Sequence, residues 1–159
     1  MIPFHGSYWY FKSAGETPGR ETRTTQGDPL KVNVHSTDRS PLLMEAHQQL
    51  ADPIDLACCR EIQVVVRNDA ALGAGAVGLS LADSHSRGKL TQNLGVRYAA
   101  PRVTGTGDRS THEDMFVFQV PLQSNIQQFD GLTVSLLPEG GHLTGGRKTA
   151  IERFVMIPK

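Results

Sequence analysis

The sequence predicts an all-β fold, a single antiparallel β-sandwich. Apolar residues stand at alternate positions in Ile62-Val64-Val66, Val77-Leu79-Leu81, Phe116-Phe118-Val120 and Leu132-Val134-Leu136, which is the period of strands with one buried face. Breaks rich in Gly, Pro, Asn and Asp separate these runs. Strands of this kind must cover their apolar face, so they pair into a second sheet or close into a barrel. A chain of 159 residues can bury one sizeable core, and it shows neither an internal repeat nor a shift of composition. One domain over residues 1–159 follows.

Residues 6–12 carry an aromatic block, Tyr8-Trp9-Tyr10-Phe11, that reads as an N-terminal strand. The polar stretch over 13–29 reads as a long loop, and Leu30-Val32-Val34 as a short strand. Residues 40–51 support two readings. Ser40-Pro41 has the form of a helix start, with Leu42, Leu43, Ala46 and Leu50 as a stripe, which gives one short helix near 41–51. The same residues also alternate as a strand. In the strand, Glu45 and His47 share a face; in the helix they diverge by about 200°. Residues 60–67 and 76–82 are expected to pair as a hairpin. Further strands fall at 90–98, 115–120, 132–136 and 147–157, with a long loop at 101–114.

Sixteen basic residues balance sixteen acidic ones, which removes the electrostatic argument for nucleic acid or an anionic membrane as partner. No apolar run approaches the roughly 20 residues of a transmembrane helix, and the first residues lack the pattern of a secretory signal. Cys58 and Cys59 are adjacent, so they cannot cross-link distant segments. A vicinal disulfide is one reading; two small thiols pointing to opposite faces of a strand is the simpler one.

The segments Ile54-Asp55-Leu56, Arg60 to Arg67, Phe129 to Leu136 and Ala150 to Ile157 resemble, in their layout, galactose-binding-like jelly rolls. The segment Met44-Glu45-Ala46-His47 with the Cys58-Cys59 pair is similar to uncharacterised bacterial β-sandwich domains. The first resemblance implies a β-sandwich of jelly-roll type and a carbohydrate-binding-module-like role outside the cytoplasm, with a glycan or an envelope protein as partner. It lends no sugar-binding signature, and fold analogy alone does not establish a ligand.

Tyr8 and Tyr10 would offer rings for a sugar to stack on if Trp9 and Phe11 are the buried pair, with Glu45, His47 and Arg67 supplying polar contacts. Glu45 and His47, joined by Asp55 or Glu61, could form a general acid and base. Asp69 and Asp83, in strand-end loops, could join backbone carbonyls around a structural calcium, although they lack EF-hand spacing. His112-Glu113-Asp114 reads as a solvated loop end, and Glu152-Arg153 as cross-strand charges. Gly141 to Thr149 approaches a phosphate-binding loop, but Arg147 breaks its register. Ser80, in Gly78-Leu79-Ser80-Leu81-Ala82, lacks the second glycine of a nucleophile elbow. Three functions are therefore carried forward: a non-catalytic binding or adhesion module for glycan, a structural or protein-interaction domain, and a polysaccharide hydrolase.

Overall fold

The computed structural model describes residues 1–11, 23–26, 43–68, 75–99, 112–137 and 149–159. Among them the alternating segments become β1 (Ile2–Pro3), β2 (Ser7–Phe11), β3 (Arg23–Gln26), β4 (Leu43–Asp55), β5 (Cys59–Asn68), β6 (Ala76–Asp83), β7 (Leu90–Tyr98), β8 (His112–Gln119), β9 (Gln128–Leu137) and β10 (Thr149–Pro158). One turn of 3-10 helix, Leu56–Cys58, joins β4 to β5. The strands form a four-stranded sheet in the order β1-β10-β5-β8 and a six-stranded sheet in the order β3-β2-β4-β9-β6-β7. Every pairing is antiparallel. The two sheets pack face to face, and Ile62, Val64 and Phe154 of the smaller one meet Leu79, Leu132 and Val134 of the larger one in the core.

Residues 43–55 settle as strand, without the short helix. A helix would have satisfied its own backbone, whereas β4 hydrogen-bonds to β2 on one side and β9 on the other. It turns Ala46 into the core and Glu45 and His47 outward. Pro53, which has no N–H to give a ladder, falls where the β4–β9 register shifts between Gln49 and Ile54.

Three further expectations are corrected. Residues 60–67 and 76–82 do not form a hairpin: β5 lies between β10 and β8, and β6 between β9 and β7 in the other sheet. Each has an apolar face, and placing one in each sheet lets both faces share the core. The stretch 13–29 is not all loop, because Arg23-Thr24-Thr25-Gln26 pairs with the open side of β2. His112, Glu113 and Asp114 are strand, not loop, and Asp114 accepts a 2.7 Å hydrogen bond from the side chain of buried Asn68. The strand expected at 30–34 and the glycine-rich run 141–148 lie outside the described residues.

Arg97 links the sheets where β7 faces β8. Its Nε donates to the Val117 carbonyl at 3.0 Å and its guanidinium lies over the Phe118 ring, 5.6 Å from the centroid. Among the described residues no helix is long and apolar enough to cross a membrane.

Candidate functional site

Alternation along β2, β4, β9 and β6 brings two rows of side chains onto the outer face of the six-stranded sheet. Register aligns Trp9, Glu45, Ser135 and Gly78 in one row. Ser7, His47, Thr133 and Ser80 make the next. The rows touch. His47 Nε2 lies 3.0 Å from Glu45 Oε2, and its Nδ1 lies 3.3 Å from Thr133 Oγ1. Ser135 donates to Glu45 Oε1 at 3.4 Å. The Trp9 and His47 rings stand 4.7 Å apart between centroids, tilted by 40°, and the indole N–H donates to Ser7 Oγ at 3.1 Å. Trp9, Glu45 and His47 are all partly exposed.

The hydrogen bond from His47 holds the Glu45 carboxyl below its usual range; burial opposes this, while the His47 charge and the Ser135 hydroxyl assist. An ionised Glu45 can only accept, so His47 Nε2 carries a proton, and in the neutral ring Nδ1 accepts from Thr133. The face therefore presents an anchored carboxylate, an oriented imidazole, the Thr133 and Ser135 hydroxyls that contact them, and an aromatic ring. Beyond Ser135 the first row runs through Gly78, which pairs with the exposed Val96 of β7.

The sequence chose the wrong aromatic pair. Tyr8 and Tyr10 are buried, at 2% and 8% exposure, and Trp9 takes the outer position. Alternation fixes which residues travel together but not which face is inward; the neighbouring strand decides, because Tyr8 pairs with inward Ala46 and Trp9 with outward Glu45. Glu45 and His47 do meet, as the strand reading required. Arg67 does not join them. It lies on β5 in the other sheet, with Nε 2.9 Å from Glu152 Oε1, an ion pair by distance and not an aligned hydrogen bond. Arg153 pairs with Glu113 at 3.1 Å, so the 152–153 charges are cross-strand ones. Asp55 and Glu61 also stay away from Glu45: the first caps the 3-10 turn through Ala57 N at 2.8 Å, and the second accepts from Gln63 and Gln119.

A second cluster gathers where β6 ends. Asp83, His85 and Asp130 place ligand-type atoms within 4.8 Å of one another, and both carboxylates are buried. Asp83 accepts from the backbone N–H groups of His85 and Ser86 and from the Ser86 hydroxyl. Asp130 accepts from the Ser84 N–H and hydroxyl, and its Oδ2 lies 3.1 Å from His85 Nδ1. These donors engage the carboxylates, and imidazole is a poor partner for calcium, so the arrangement fits a loop clamp better than a calcium cage. The sequence pointed to Asp83 but not to Asp130, which comes from β9, 47 positions further on. Asp69 lies outside the described residues.

No family model matches the chain, and comparison with curated proteins and with solved structures also returns no match.

Proposed function

We propose that the chain is a non-catalytic binding module and that the outer face around Trp9 is its contact surface for a glycan. One observation carries this reading: a partly exposed tryptophan shares a sheet face with a carboxylate, an imidazole and two hydroxyls. An indole accepts the C–H face of a pyranose, and the polar groups beside it are the kinds that bind sugar hydroxyls. The layout resemblance to galactose-binding-like jelly rolls, some of them modules of envelope proteins, points the same way as an analogy.

Trp9 is the sole tryptophan of the chain, so its emission reports on this face without a label. A glycan array followed by fluorescence titration of hits tests the reading. Binding that shifts Trp9 emission and is lost in a folded Trp9→Ala variant supports it. Binding unaffected by Trp9→Ala, or no binding at all, rejects it.

The protein-interaction reading has its own support at the opposite edge of the same sheet, where Leu90, Val96 and Tyr98 of β7 are exposed. The hydrolase reading requires a second carboxyl group about 5–10 Å from the first. The groups that hydrogen-bond to Glu45 are imidazole and hydroxyl instead.

A further inference from the structure

Cys58 and Cys59 stand far from the roles assigned so far, and their placement overturns the expectation that they point to opposite faces. Cys58 ends the 3-10 turn and Cys59 opens β5. Two successive strand positions would have separated the sulfurs. The turn brings them together instead, with Sγ atoms 2.8 Å apart, inside the roughly 3.5–4.0 Å of an ordinary non-bonded contact. Both are free thiols, Cys58 exposed and Cys59 buried.

The backbone around them is held from several sides. Asp55 caps the turn through Ala57 N, Leu56 N donates to the Gln127 carbonyl at 2.8 Å, and Lys159 N donates to the Cys58 carbonyl at 3.2 Å. Buried Leu56 anchors the turn to the core. The sulfurs are thus positioned before any reaction, and solvent reaches one of them.

We propose that Cys58-Cys59 is a redox modification site, a vicinal dithiol that a low-molecular-weight disulfide of the glutathione class converts into an intramolecular disulfide. The exposed Cys58 thiolate attacks one sulfur of the oxidant, forming a mixed disulfide and releasing one thiolate. Cys59 then gives its proton to solvent and attacks the Cys58 sulfur, forming the Cys58–Cys59 bond and expelling the second thiolate. Two protein thiols are oxidised by two electrons, and the oxidant, with two protons, leaves as two thiols.

Order and reversibility follow from the surroundings. Burial first, then the hydrogen bond that the Cys59 thiol donates to the Cys58 sulfur, then the Cys58 charge, push the Cys59 thiol up to about 12, so Cys59 is the poor first nucleophile. Capping Cys58 removes the second and third of these causes and eases the closing step. Adjacent Cα atoms lie about 3.8 Å apart, closer than the roughly 4.4–6.8 Å usual for a disulfide, so the product is readily reduced.

The test treats the full chain, first fully reduced, with oxidised glutathione, blocks remaining thiols with N-ethylmaleimide and measures intact mass. The expected product weighs about 2 Da less than the reduced chain, carries no maleimide, maps to the peptide holding residues 58 and 59, and reverts with dithiothreitol. Cys59→Ala should stop at one glutathione adduct on Cys58, and Cys58→Ser should form neither product. A wild-type chain that ends as the glutathione adduct, takes up two maleimides or cross-links between molecules overturns the proposal. The wild-type mass and peptide map decide this even if a variant fails to fold.

Discussion

The Tyr8 hydroxyl on β2 accepts the Ile151 N–H of β10 at 2.9 Å, so one side chain ties the two sheets together across 143 positions of sequence. The β10–β5 register shifts directly after Ile151, and the amide at that irregularity is directed to the phenol. Tyr8→Phe keeps the ring and strands a buried N–H donor. The expected cost is about 1–3 kcal/mol, measured as a lower urea midpoint with an unchanged m-value.

Trp9→Ala is expected to behave differently. The ring lies on the outer face, so its loss should lower stability by less than about 1 kcal/mol while abolishing glycan binding. A large drop in the melting temperature would show that Trp9 is part of the framework.

Gly6 lies against β4 so closely that an added Cβ would sit 1.9 Å from the His47 carbonyl oxygen and 2.8 Å from its carbon. Backbone cannot yield as a flexible side chain does. Gly6→Ala should therefore push the start of β2 off β4, cost more than the roughly 1–3 kcal/mol of ordinary overpacking, and disturb the Trp9–His47 contact. Paired measurements of stability and of Trp9 emission would reveal both effects; an unchanged melting temperature would contradict the packing.

Three carboxyl groups give acid sensitivity a definite sign. Glu45 is lowered chiefly by its bond from His47, and Asp83 by the Ser86 hydroxyl. For Asp130, burial raises the value but is outweighed by the Ser84 hydroxyl and N–H, His85 and Gln49. Each group binds its proton more readily in the unfolded chain. Their contribution is complete above the unfolded range of about 3.9–4.3 and erodes as pH falls through the lower folded values. Acid titration of stability should show this loss, and Asp130→Asn should flatten it.

The same loop yields a test with metal. Because serine and backbone donors engage Asp83 and Asp130, adding calcium or a chelator should leave the melting temperature unchanged. A calcium-dependent rise would show that a cation displaces those donors.

Much of the fold was legible because Ile62 to Val66 or Leu132 to Leu136 alternate too regularly to be anything but half-buried strand. What alternation could not carry was the identity of each strand's partner. Residues 40–51 were undecided because Leu42, Leu43, Ala46 and Leu50 satisfy both periods locally, and pairing with β2 and β9 resolves 43–51 as strand, while 40–42 lie outside the described residues. The same ignorance of partners reversed the aromatic block: nothing in Tyr8-Trp9-Tyr10 says which face meets Ala46. Glu45 and His47 were found because their spacing of two is a local signal, whereas Thr133, Ser135 and Asp130 come from a distant strand and left none.

The Trp9 face draws its polar contacts from segments 86 and 90 residues apart. No fragment that lacks β2, β4 or β9 can rehearse this surface, and an early intermediate with only β5 and β8 paired would still lack it. The face therefore matures only with the slow, non-local closures of the larger sheet. Anything that docks there serves as a proofreader of the finished fold, and it shifts the balance toward that fold in proportion to its own concentration.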